Sequence, residues 1–131
     1  MQSSPVKWIF LLGLLVGCGS APTTIGLRGD VSYRGAPISK GMIDFVPTDD
    51  TRGSIIMAPI RDGKYEVIAE RGVQIGGTYL IRVIGFKESG EMFRGLPVEK
   101  NFIPEQHNSK TTLKVRIADL SDKNKADFQL P

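Results

Sequence analysis

From Ile25 the chain alternates. Ile25, Leu27, Gly29, Val31 and Tyr33 stand against Gly26, Arg28, Asp30 and Ser32. A period of two marks a strand with one face on a core. "RGAP", Arg34 to Pro37, is a turn, and "GMIDFVP" gives a second strand with Ile43 and Phe45 on one face and Met42, Asp44 and Val46 on the other. "TDDTRG" is a loop. "SIIMAPI" is a third strand, and Pro59 within it implies a strand edge or end, because proline has no N–H for a ladder. "RDGK", Arg61 to Lys64, puts Asp-Gly between apolar runs, which predicts a hairpin into "YEVIA". "ERGVQIGG" connects to "TYLIRVIGF", Thr78 to Phe86, the run richest in β-branched and aromatic residues. Lys87 to Asn101 is glycine-punctuated and predicts a long, mobile loop. Phe102 and Ile103 are expected to pack before "TTLKVRIA", where Leu113, Val115 and Ile117 oppose Thr112, Lys114 and Arg116; "ADFQL" closes the series. No stretch holds a helical period beyond two turns. About seven turn-separated strands predict an all-β fold, a single antiparallel β-sandwich over residues 25–131. With a single cysteine, and its single tryptophan, Trp8, lying before residue 25, the sequence offers neither the cysteine pair nor the tryptophan pin of a true immunoglobulin domain.

The pattern before Ile25 is different. Trp8 to Val16 is apolar but far short of the roughly 20 residues that cross a bilayer. Lys7 precedes it, and Leu15, Val16 and Gly17 lead to Cys18. A positive residue, an apolar stretch and small residues at its end are the parts of a secretory signal. Leu15, Val16, Gly17 and Cys18 resemble the bacterial lipobox, in which the cysteine thiol takes a diacylglyceryl group and the peptidase requires a small residue before its cut. The expectation is a lipoprotein signal peptide over residues 1–17, a lipidated tether over residues 18–24 ("CGSAPTT") and membrane anchoring through acyl chains on Cys18. An ordinary secretory signal or an uncleaved anchor would leave charge, length, box and position agreeing by coincidence. Gly19, not aspartate, follows the cysteine, which by analogy points to the outer membrane or cell surface.

Composition narrows the partners. The net charge of +3 invites a nucleic-acid reading, but the Arg and Lys residues are scattered among acids with no basic run. A solvated surface of mixed charge accounts for them, and no nucleic-acid partner is expected.

The motifs "GLRGDVSYRGAPISKGMIDFVP", "RDGKYEV", "GGTYLIRVIG" and "FIPEQHNSKTTLKVRI" together resemble small planctomycete-type lipoproteins with a carboxypeptidase-regulatory-like domain. The likeness runs over nearly the whole chain after Cys18. The family pattern G-x-V-x-Y-x-G-x-P-I-x-x-G-x-I-x-F-x-P is filled by Gly29, Val31, Tyr33, Gly35, Pro37, Ile38, Gly41, Ile43, Phe45 and Pro47. Asp62, Gly63 and Tyr65 match a second element; Ile103, Pro104, Asn108 and Thr111 match a third, with His107 where tyrosine is common. Gly76-Gly77-Thr78-Tyr79 departs from the usual Pro-Gly-x-Tyr. The resemblance implies a transthyretin-like, immunoglobulin-like sandwich with structural motif residues: glycines for turns and close approach, and Tyr33, Phe45, Tyr65 and Tyr79 for the core. It brings no catalytic residue.

Chemistry sought in the residues leads to the same place. His107, the only histidine, has Ser109 nearby but no nucleophile elbow, and reads as a loop histidine. One histidine and one lipidated cysteine do not make a zinc site, and Asp49-Asp50 reads as a turn rather than a calcium loop. No catalytic residue, metal or cofactor is expected. Of the phenylalanines near loops, Phe86, Phe93 and Phe102, Phe93 in "EMFRG" is expected to be exposed and is the candidate ligand-loop residue. The function expected is a lipid-anchored, non-enzymatic envelope domain, structural or protein-binding, its partner an unknown envelope protein; the alternative is a domain that binds envelope polysaccharide.

Overall fold

The computed structural model describes residues 23–117 and 124–131. These form eleven strands and two single turns of 3-10 helix, with no α-helix among the described residues. The strands are β1 (Thr24–Ile25), β2 (Leu27–Tyr33), β3 (Ala36–Pro37), β4 (Lys40–Thr48), β5 (Ile56–Arg61), β6 (Lys64–Val67), β7 (Val73–Gln74), β8 (Thr78–Phe93), β9 (Leu96–Asn101), β10 (Lys114–Arg116) and β11 (Phe128–Leu130). The fold is all-β. The main sheet runs β10-β8-β4-β5-β6-β2-β11 and curls as a half-barrel; β1 and β7 form a separate small pair.

Pairing along this path is uneven. β4 pairs with β8 from Gly41↔Gly85 to Thr48↔Thr78, and with β5 from Lys40↔Arg61 to Phe45↔Ile56. β5 and β6 share one pair only, Arg61↔Lys64, beside their turn, and then separate. Pro59 pairs with Met42 on the β4 side, so its missing N–H falls where β6 has already diverged. The splay creates an open seam between β5 and β6 and lets the two flanks of the sheet close over one core.

Three two-residue turns share one chemistry. Arg34-Gly35, Asp62-Gly63 and Arg94-Gly95 all hold both residues at positive φ, between 50° and 79°. Both central residues at positive φ is the signature of the type I′ turn, whose twist matches that of the flanking strands.

The inward faces follow the alternation in the sequence. Leu27, Val31, Ile43, Phe45, Ile81 and Val83 are each within 1% of complete burial. At the centre Phe45 meets three other rings, Tyr65 at 5.7 Å, Phe128 at 6.2 Å and Tyr79 at 6.3 Å between centroids. The two tyrosines carry their hydroxyls to the rim: Tyr65 Oη donates to the Ala126 carbonyl at 2.6 Å, and Tyr79 Oη accepts from the Gln74 N–H at 2.9 Å. Tyr33 is only half-buried, with its ring against Phe102 and His107.

Three sequence expectations need correction. The sheet is not wholly antiparallel, because β11 lies parallel to β2 in the register Phe128↔Val31. The crossover brings Ala126 O so close to Gly29 that a Cβ there would sit 1.8 Å from it, a physical reason for glycine at that motif position. Leu113 does not join Val115 and Ile117 against the core; it lies before β10 and is 39% exposed. And Lys87 to Asn101 is not a loop: it is the outer half of β8, a turn, and β9.

Candidate functional site

The hairpin made by β8 and β9 is the feature that most departs from a closed core. β4 accompanies β8 as far as Gly85. Beyond it, β8 pairs only with β9, so Phe86 to Phe93 and Leu96 to Asn101 form a two-stranded ribbon. Two isolated strands are marginal in water, so the ribbon depends on its root. Asn101 supplies it: its Oδ1 accepts from Gly85 N at 3.1 Å and Ile103 N at 3.0 Å, and its Nδ2 donates to Ile103 O at 3.1 Å. Asn108 Nδ2 adds bonds to the Ile103 and Pro104 carbonyls at 3.1 and 3.0 Å, which accounts for asparagine in that motif.

Along the ribbon, like charges face each other: Lys87↔Lys100, then Glu88↔Glu99. Directly opposed like charges destabilise a strand pair. Partners from elsewhere relieve them. Lys40 Nζ reaches Glu99 at 2.7 Å, Lys100 Nζ reaches Glu91 at 3.0 Å, and the Lys87 ammonium sits 5.3 Å from the Phe102 ring centre. The two ion pairs are solvent-exposed, so each contributes about 0–1 kcal/mol.

After Glu88 the register breaks. Ser89, Gly90 and Glu91 oppose Val98 alone, Gly90 takes φ 82°, and Ser89 Oγ donates to the Val98 carbonyl at 2.8 Å. This bulge turns the tip relative to the ribbon. The tip is Met92↔Pro97 and Phe93↔Leu96, closed by Arg94-Gly95. Met92 is 66% exposed, Phe93 65% and Leu96 69%. The Arg94 guanidinium covers the Phe93 ring at 5.2 Å. Phe93 is thus exposed as the sequence predicts, but beside a two-residue turn, next to Met92 and Leu96. The missed signal was Arg94-Gly95 between Phe93 and Leu96, the same X-Gly turn as Asp62-Gly63. Phe86 is half-buried at the root, and Phe102 packs against the core.

The other sequence candidates do not converge. His107 lies in the 3-10 turn Glu105–His107 with its ring edge-on to Tyr33 at 5.9 Å, and its ring nitrogen faces the Gln106 amide, not Ser109. Asp49, at φ 56°, faces Lys114 Nζ at 3.6 Å. A shallow groove of about 660 Å³ lies over Arg28, Arg61, Lys64 and Lys125. On its wall Lys64 bonds Asp30 at 2.9 Å, which holds the Asp30 carboxyl below its ordinary value and the Lys64 ammonium above. Burial, reinforced by the negative Asp127 and Asp30, pushes the Tyr65 hydroxyl well above its usual value. Among the described residues no group of three His, Cys, Asp or Glu side chains gathers to hold a metal, and no helix is long and apolar enough to cross a membrane. Cys18, Leu15, Val16 and Gly17 lie outside the described residues. Comparison of the chain with protein-family models, curated proteins and solved structures finds no match.

Proposed function

We propose that the chain is an exported, non-enzymatic lipoprotein, anchored through acyl chains on Cys18 to the outer membrane or cell surface, that presents the β8–β9 hairpin to a protein partner of the envelope. On this reading the half-barrel is a small β-sandwich of the transthyretin-like, carboxypeptidase-regulatory-like kind, and residues 1–17 are its signal peptide. The observation that carries the reading is the apolar hairpin tip. Exposed apolar clusters on a ribbon that stands clear of its own core are features of interaction surfaces. The tip is also far from the tether. Thr24 pairs with Gln74, close to the Thr78 end of β8, whereas the tip closes the Phe93 end. Sixteen strand residues span up to about 50 Å. A domain held at Cys18 would therefore carry its tip at the end away from the anchor.

The β9 edge favours contact through the tip over strand addition. It is short, it carries Glu99 and Lys100, and it contains Pro97, all devices that blunt an edge. A second reading, polysaccharide binding, is favoured by one observation, the exposed Phe93 ring. Arg94 already occupies one of that ring's faces, which leaves a single face for a sugar. A photo-crosslinking residue at position 93 in living cells tests both. One dominant protein adduct, lost when Cys18→Ser releases the domain, is the expected result. Glycan adducts without protein would replace it with the second reading. No adduct above that of a probe on an exposed strand position would refute both.

A further inference from the structure

Leu113 apart, the exposed large hydrophobic residues among those described collect at two ends of the molecule. Met92, Phe93 and Leu96 form the hairpin tip, while Ile55, Met57, Ile68 and Ile75, between 45% and 65% exposed, lie at the other end. Ile55, Met57 and Ile68 share a groove of about 610 Å³ at the splayed seam of β5 and β6, and Thr24 lines the same groove. Ile75 lies on the adjoining depression, beside Asp49 and Asp50, and its N–H donates to the Thr23 carbonyl at 3.0 Å. Thr24 Oγ1 donates to the Ala69 carbonyl at 2.8 Å, which fixes the incoming chain beside Ile68. The apolar residues thus surround the point at which the described chain begins. Arg52 and Arg71 border the groove and enter no ion pair among the described residues, although Glu70 stands beside them.

Chain length says what this end faces. Five peptide steps separate Cys18 from Thr23, at most about 18 Å of extended chain. If Cys18 is acylated, Thr23 and the residues around it lie within that distance of the lipid headgroups. We infer that this end of the domain is a bilayer-contact surface, with Ile55, Met57, Ile68 and Ile75 entering the lipid interface and Arg52 and Arg71 against lipid phosphates. The inference rests on the lipid-anchor reading above. It adds that the domain does not swing freely on its tether: acyl chains and an apolar collar hold one end down and the hairpin outward. Apolar side chains at an interface with cationic neighbours are the composition such contacts use.

The test uses the lipidated protein as cells make it. Cys18 is the only cysteine and its thiol would carry the lipid, so Met57→Cys or Phe93→Cys takes an environment-sensitive fluorophore at one place. Each labelled protein is reconstituted into vesicles of phosphatidylethanolamine and phosphatidylglycerol containing a shallow spin-labelled quencher lipid. The expected result is a blue-shifted label at position 57 whose quenching is several-fold that at position 93, and which weakens in the Arg52→Gln, Arg71→Gln double variant. Intact mass of the same samples reports the acyl groups. Acylated protein with both labels in water, or with the label at position 93 the more quenched, overturns the contact surface and leaves the anchor standing. Protein without acyl mass overturns the anchor reading and the contact surface with it.

Discussion

Replacing Phe45 by alanine tests the packing argument at its centre. Phe45 is fully buried on β4, between Ile56 of β5 and Ile81 of β8 in register, and its ring meets Tyr65, Tyr79 and Phe128. Truncating a buried phenylalanine costs about 3–5 kcal/mol, more where the surroundings cannot collapse into the void. Here they are held. Tyr65 is tied to Ala126 O, Tyr79 to Gln74 N, and Phe128 is fixed by the β11–β2 pairing. Three ring contacts are also lost, each worth about 0.5–1.5 kcal/mol and partly counted in the truncation figure. The upper part of the range, about 4–5 kcal/mol, is therefore expected. A domain of this size has about 5–15 kcal/mol in all, so the variant stands near the edge of folding. Urea denaturation followed by circular dichroism should show a midpoint about 2–4 M lower at unchanged slope. Phe45→Leu, which keeps most of the volume, should lose only about 1–2 kcal/mol and serves where the alanine variant does not fold. A loss below about 1 kcal/mol for Phe45→Ala would refute the assignment of this face to the core.

The remaining predictions address other links. Tyr65 ionises in the unfolded chain near pH 10 but is held neutral when folded, so its contribution is complete below about pH 10 and declines as pH rises above it. Tyr65→Phe loses the bond to Ala126 O, about 1 kcal/mol at pH 8, and this deficit should shrink by pH 11; a deficit equal at both pH values in urea melts would contradict the burial argument. Asn101→Ala should cost about 1–3 kcal/mol by leaving the Gly85 and Ile103 amides without their acceptor, and amide exchange should quicken first in the ribbon; uniform exchange would show that Asn101 is not its root. Gly29→Ala should cost about 3 kcal/mol, because its methyl must displace the Ala126 carbonyl, and a stable variant in thermal melts would show that the crossover has room. Phe93→Ala should change stability by less than about 0.5 kcal/mol while reducing partner capture, so a destabilised variant would mean the tip serves the fold.

Period-two alternation makes β2 and β4 legible, because one face of each is buried and the other wet, while the inner half of β8 shows in its β-branched and aromatic residues and β5 in its apolar run. The hairpin into β6 is legible from Asp62-Gly63 itself, a pair suited to two successive positive-φ positions. The outer half of β8 escaped the pattern because neither face of the ribbon packs on the core: Lys87 to Glu91 are polar with no apolar period, and the bulge at Gly90 interrupts what register remains. The exposure of Phe93 is legible in "EMFRG", but its union with Met92 and Leu96 depends on the Arg94-Gly95 turn inside a stretch whose glycines suggest a loop. The splay of β5 from β6, which places Ile55, Met57 and Ile68 around one groove, is a property of the twisted sheet and leaves no mark in local sequence. Nor does the parallel return of β11, since a three-residue strand carries no sign of its direction.

That return has a consequence for when the domain can exist at all. The ring of Phe128 completes the cluster around Phe45, and its strand pairs with Val31, roughly 100 positions earlier in the chain. At about 5–20 residues per second, a ribosome that has just released β2 must continue for roughly 5–20 s before the closing strand emerges. Throughout that interval the core lacks one wall and β2 lacks its outer neighbour, so the complete core closes only after nearly the whole domain has been made.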